Sequence, residues 1–188
     1  MRLVKIAACA VLLAALLGGC SSPFWVDSEQ PQNAVLKPYN HLYVGWVGLR
    51  EDDWQTYGYA TKEEWAGQIR DFNIKGLQAY VKEWMPGKQV SGPQGPEQGP
   101  PAEGDLYIKF TYQGIEQHWD GFSATPDQMK LEVEFIDLAT KETVYKNTMV
   151  ATSLGRFGPR NWACNVFDGR IDNTMYNLAE WLSLKLGS

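Results

Sequence analysis

The tetrapeptide Leu17-Gly18-Gly19-Cys20 decides which part of this chain can fold, and with what means. Arg2 and Lys5 give a positive start, and an uncharged run from Ile6 to Leu17 follows. That run matches a signal-peptide core and falls short of the roughly 20 apolar residues that a permanent membrane helix needs. Small residues then precede a cysteine. A lipobox requires that order, because its thiol accepts a diacylglyceryl group and its peptidase cuts between small side chains. Residues 1–19 therefore read as a lipoprotein signal peptide, and Cys20 as the lipidated first residue of the mature chain, carrying palmitate-type acyl chains. Ser21 follows where an Asp would tend to retain a lipoprotein at the inner membrane. In a Gram-negative cell the expected location is thus the outer membrane, lipid-anchored and facing the periplasm.

The cysteine count follows from this assignment. Of three cysteines, Cys9 lies in the signal and Cys20 carries lipid, so Cys164 is left alone. An exported domain with one thiol has no internal disulfide and must be held by its core. Eight Trp, nine Tyr and seven Phe supply large apolar areas for that purpose. Removing Arg2 and Lys5 takes Lys plus Arg from 17 to 15 against 22 Asp plus Glu, a mature net charge of −7. Such a chain is a poor nucleic-acid ligand, since duplexes are bound by neutralising phosphates. It also lacks a polybasic patch, which leaves acyl chains as the membrane attachment.

Residues 20–38 are polar and proline-punctuated and read as a lipidated terminus with a flexible tether. Fully extended, residues 21–38 would reach roughly 60 Å at about 3.4 Å per residue. Phe24 and Trp25 either sit near the lipid or fold back on the domain. Residues 39–188 read as one domain. His41–Leu49 is a first strand. Thr61-Lys62-Glu63-Glu64 is a capping box that opens a long helix ending at Met85-Pro86-Gly87, with Trp65, Ile69, Phe72, Gly76 and Tyr80 at helical spacing. Residues 86–104 are rich in Pro and Gly and read as an exposed insertion. Asp105–Gln113, Met129–Ile136 and Thr143–Ser153 alternate as an antiparallel meander with one wet face. A last helix runs from about Phe167 to Leu186. The expected fold is α+β: a four-stranded, mainly antiparallel sheet with two long helices packed on one face, in the order strand-helix-strand-strand-strand-helix.

That order, with the turn Asp137-Leu138-Ala139-Thr140-Lys141-Glu142-Thr143-Val144, resembles a broad group of small outer-membrane lipoproteins. The group includes the amino-terminal domain of the Tol translocation protein, the periplasmic domain of the curli secretion lipoprotein and the penicillin-binding-protein activator lipoproteins. In it a strand ends in a D-x-x-T-x-x-x-V turn and re-enters the sheet. The resemblance spans 40–188 and implies a scaffold or binder. The curli-type members carry a pore-forming insertion. The Pro/Gly-rich stretch here departs from that pattern and cannot be a membrane strand.

No catalytic constellation, metal set or cofactor motif emerges. His41 and His118 stand in no metal-ligand spacing. Cys164 with His118 as nucleophile and base lacks a supporting signature and reads as a small buried apolar residue. Glu51-Asp52-Asp53 lacks the alternating ligands of a calcium loop. Glu116 and Asp120 form an acidic pair without diagnostic spacing. Aromatic loops are the stronger feature: Trp54, Tyr57 and Tyr59 after the first strand, Trp119 and Phe122 after the second, and Arg156, Phe157, Arg160 and Trp162 before the last helix. Converging, they would make a surface of the composition favoured at binding hot spots, although most of these aromatics read as cover for a small core that needs their area. Trp54, Arg156, Arg160 and Trp162 are the expected binding residues, and an envelope protein or glycan the expected partner. The alternative is a cell-envelope hydrolase acting on peptidoglycan or polysaccharide. The oligomeric state is left open.

Overall fold

The computed structural model describes residues 22–32, 36–47, 60–64, 67, 76–92, 103–118, 125–154 and 167–187. Among the described residues, six strands and two full helices carry the architecture: β1 (Phe24–Gln30), β2 (His41–Val47), α1 (Leu77–Trp84), β3 (Gln89–Ser91), β4 (Asp105–Glu116), β5 (Gln128–Asp137), β6 (Thr143–Thr152) and α2 (Phe167–Leu186). The strands form one sheet in the order β1-β6-β5-β4-β2-β3. β2 runs parallel to both of its neighbours, and the remaining pairs are antiparallel.

The fold is α+β, but the expected four-stranded, mainly antiparallel sheet with two long helices is not what forms. The sheet is six-stranded and mixed, and among the described residues only α2 is long. Both extra strands come from segments with weak local signals. β1 occupies the expected tether and pairs with β6 from Phe24↔Ala151 to Gln30↔Lys146. It is an edge strand exposed over most of its length, and so it lacks the apolar alternation that one buried face imposes. β3 occupies the start of the expected insertion. It is three residues long with one buried anchor, Val90, too short to show a period.

The parallel pairs explain what the intervening segments do. A parallel connection needs a crossover of a dozen or more residues. The stretch between β2 and β3 provides one and contains α1. Residues 92–104 then carry the chain from β3, past β2, to β4 on its other side. The capping box forms at the start of the first helical segment: the Glu64 amide donates to Thr61 Oγ1 at 3.0 Å, and Glu64 Oε2 accepts the Ala60 amide at 3.1 Å. Helical residues follow at 62–64 and 67.

One face of the sheet is the core. Leu42 and Val44 on β2, Leu106, Ile108, Phe110 and Tyr112 on β4, and Met129, Leu131, Val133 and Phe135 on β5 are buried with Leu77, Val81, Ile171, Met175, Leu178 and Leu182 of the helices. Each such side chain stabilises the fold by about 1.5–3 kcal/mol relative to exposure. Phe135 stacks at 5.0 Å on Tyr145 and at 5.9 Å on Trp181, which ties β5 and β6 to α2. The other face is wet. Lys109, Glu134 and Lys146 stand directly opposite one another across β4, β5 and β6, with Lys109 Nζ 2.6 Å from Glu134 and Lys146 Nζ 2.9 Å from Glu132. On the same face Tyr107 lies over Gly45, where a Cβ would collide with the phenol ring.

Candidate functional site

Strand direction brings the loop segments together. β2, β4 and β6 run the same way, so the segments 48–59, 119–124 and 155–166 all leave from one end of the sheet. β1 and β5 run the other way and begin at that end, and α2 begins there too. Trp54, Arg156, Arg160 and Trp162 lie outside the described residues, as do Cys20, Cys164, Asp120 and Glu51-Asp52-Asp53. The described anchors of their segments are Val47, His118, Leu154 and Ser22. The chain enters the sheet here firmly. The Thr152 amide donates to the Pro23 carbonyl at 2.9 Å, and Thr152 Oγ1 donates to it at 3.1 Å.

Beneath this end lies a buried polar floor that sequence reasoning missed. Arg170 Nε donates to Asp127 Oδ2 at 2.5 Å, and both side chains are buried. Asp127 Oδ1 accepts the His118 amide at 2.9 Å, while the Asp127 amide donates to Ser153 Oγ at 2.8 Å. Asn177 Nδ2 reaches the carbonyls of Thr152 and Leu154 at 2.8 and 3.0 Å. One aspartate thus joins the end of β4, the start of β5, the end of β6 and the first turn of α2. The signal that could have found the floor is helical spacing. Arg170, Thr174 and Asn177 fall at i, i+4 and i+7, a polar stripe beside the apolar one. A buried Arg and carboxylate with further hydrogen bonds positions loop anchors rigidly.

The candidate chemistry is weaker than the architecture. Glu116 is exposed and holds Lys130 at 2.5 Å. Its pKa is lowered, chiefly by that hydrogen bond, the opposite of what a glycosidase general acid requires. His118 Nε2 lies 3.8 Å from Glu116 Oε2, beyond hydrogen-bond reach. His41, Ser91 and Asp105 meet on neighbouring strands in a way the sequence does not announce. His41 Nε2 is 2.7 Å from Ser91 Oγ, but Nδ1 is 3.8 Å from Asp105 Oδ1. The carboxylate therefore does not orient the ring, which instead stacks on Tyr43 at 4.1 Å. Among the described residues no group of three His, Cys, Asp or Glu side chains could hold a metal ion. A cavity of about 300 Å³ opens at the opposite end, lined by Leu36, Lys37, Tyr39, Asp137 and Val144.

No protein-family profile matches this chain, and no curated protein matches it by sequence. Among solved structures, it is similar to a PelC dodecamer from Paraburkholderia phytofirmans, with a TM-score of 0.44 and 12% identity over 88% of this chain and 98% of that one. A single-substitution variant of the same PelC in another crystal form gives 0.44 and 12% over 86% and 98%. A likeness of that size carries no argument about what this chain does.

Proposed function

We propose that this chain is a lipid-anchored module of the bacterial envelope that binds or scaffolds another envelope component, protein or glycan, and turns over no substrate. The observation that carries the reading is the shared direction of β2, β4 and β6, which starts or ends the aromatic, Arg-bearing segments at one end of the sheet. Glu116, Glu134 and Asp137 all have lowered pKa values, and in each the largest cause is a hydrogen bond from a lysine, Lys130, Lys109 and Lys37 in turn. General acids are tuned the other way, towards neutrality. Attachment through Cys20 at the periplasmic side of the outer membrane is the location this function requires, and membership of the small outer-membrane lipoprotein group belongs to the same proposal. Trp54, Arg156, Arg160 and Trp162 are its contact residues, a choice supported by chain topology, which starts or ends their segments at one end of the sheet.

The test is co-purification from envelope fractions after mild crosslinking. A specific envelope protein or glycan should be recovered, and less of it with Trp54→Ala or Arg156→Ala. Recovery unchanged by both substitutions would sink the site assignment. Measurable glycan or peptide-bond turnover, abolished by Glu116→Gln, would establish the hydrolase instead.

A further inference from the structure

The chain between Cys20 and the first fixed residue is short enough to hold the start of the domain close to any lipid on Cys20. The Ser22 hydroxyl bonds to the Phe24 carbonyl, the Ser22 carbonyl accepts from Thr152 Oγ1 at 3.3 Å, and the Pro23 carbonyl is held by Thr152. Only Ser21 separates this fixed start from Cys20. Two residues span at most about 7 Å at about 3.4 Å each, which is comparable to the polar headgroup layer, roughly 5–8 Å on each side of the hydrocarbon core. A long tether would let the domain stand far off from the bilayer, whereas two residues keep its start within about 7 Å of Cys20.

A second observation points the same way. The described large apolar side chains that remain exposed are Trp25 and Val26, each at 37%, and Leu184, at 71%, in the last turn of α2 at the opposite end. Two of these three therefore lie within six residues of Cys20, on the first residues of β1, which begins at the loop end. Trp is the residue whose ring sits best at a membrane–water interface.

Resting on the lipid-anchor reading above, we infer that the end of the sheet formed by Pro23, Thr152, Asp127 and His118 is held against the surface of the phospholipid bilayer, with Trp25 at headgroup depth. The opposite end, at the Asp137–Lys141 turn, then points away. β5 alone spans ten residues, about 30 Å at roughly 3.3 Å per residue. A partner contacted through the segments that leave the loop end is met at the membrane surface.

The test uses the full acylated protein, purified from membranes and reconstituted in phosphatidylethanolamine–phosphatidylglycerol vesicles containing a headgroup-nitroxide lipid. In a Cys164→Ser background, a fluorophore is placed at Gln117→Cys or Lys141→Cys, both exposed positions. Thr125→Cys is a second reporter at the loop end, should Gln117→Cys fold poorly. The loop-end label should be quenched at least threefold more than the Lys141 label. Equal quenching, or stronger quenching at Lys141, in a protein whose mass shows the acyl group overturns the orientation and leaves the anchor standing. A mass without the acyl group overturns both.

Discussion

Asp137 closes the β5–β6 hairpin with its own side chain. Oδ1 accepts the amides of Ala139 and Thr140 at 2.9 and 3.2 Å, and Oδ2 accepts from Lys37 Nζ at 2.5 Å and from the Tyr39 hydroxyl at 3.1 Å. This is the physical content of the D-x-x-T pattern visible in the sequence: an Asx turn, with the Thr140 hydroxyl accepting the Glu142 amide. The Lys37 hydrogen bond is the largest reason that the Asp137 pKa lies below its ordinary 3.8. A folded-state pKa below the unfolded one gives stability that is fully present above that ordinary value and lost as pH falls below it and through the lowered folded-state value. Asp137→Asn should cost about 1.5–3 kcal/mol at neutral pH, measured by urea unfolding. The gap from wild type should close as pH drops below 3.8. A constant gap would mean that charge is not what Asp137 contributes. Two residues on, Lys141 sits at φ +61°, a left-handed conformation that strains any side chain. Lys141→Gly should raise stability by up to about 1 kcal/mol, the left-handed cost less the extra unfolded-state freedom of Gly. The motif was legible because its chemistry is local. Asp127 with Arg170 was not, because residues 43 apart leave no local mark beyond the polar stripe on α2.

At the level of elements, legibility tracked burial on one face. β4, β5 and α2 alternate or repeat because each lays one side on the core, and their inward residues fall where the periodicity puts them. β1 and β3 are edges held by backbone pairing and a few anchors, so pattern could not find them. The parallel setting of β2 was also hidden, since direction depends on the length of the crossover and not on strand composition. β1 is tied to the far end of α2 by Glu29, which accepts from the Tyr145 hydroxyl at 2.9 Å and Lys185 Nζ at 3.0 Å, while Lys185 lies 4.2 Å from the Tyr145 ring centre. Burial, then the Glu29 bond, raises the Tyr145 pKa, and burial likewise pushes Tyr39 up to about 12. An acid with a raised folded-state pKa stabilises below its unfolded value and loses that contribution as pH rises beyond it. Thermal stability should therefore fall above about pH 10, less steeply in Tyr145→Phe; equal slopes would place the alkaline loss elsewhere. At the other end, Arg170→Ala should cost about 3–5 kcal/mol by leaving Asp127 charged and buried, and Arg170→Met with Asp127→Leu should recover most of it. A double variant as unstable as the single would show that the hydrogen bonds of Asp127 to the amides of His118 and the β5 start matter more than its charge.

For the whole molecule, what matters is where the domain begins. Composition and the proline-punctuated stretch before residue 39 suggest a tether of tens of ångströms, whereas the sheet starts at Phe24 and the chain is fixed from Ser22. The roughly 60 Å of reach is replaced by the span of two residues between Cys20 and the fixed start of the domain at Ser22. Truncation separates the two descriptions. A chain beginning at Ser22 retains β1 and should unfold cooperatively at the wild-type midpoint. A chain beginning at Tyr39 loses partly buried Phe24 and the Glu29 bonds to Tyr145 and Lys185. Those losses come to about 3 kcal/mol or more, from one aromatic side chain and two hydrogen bonds. It also leaves β6, ten residues long with Val150, Ala151 and Thr152 buried, as an unprotected edge, the setting in which strands pair with other chains. Urea unfolding and light scattering of the two truncations decide the matter: the shorter chain should have a lower midpoint and should aggregate, and equal midpoints with no aggregation would return residues 22–38 to the role of a tether.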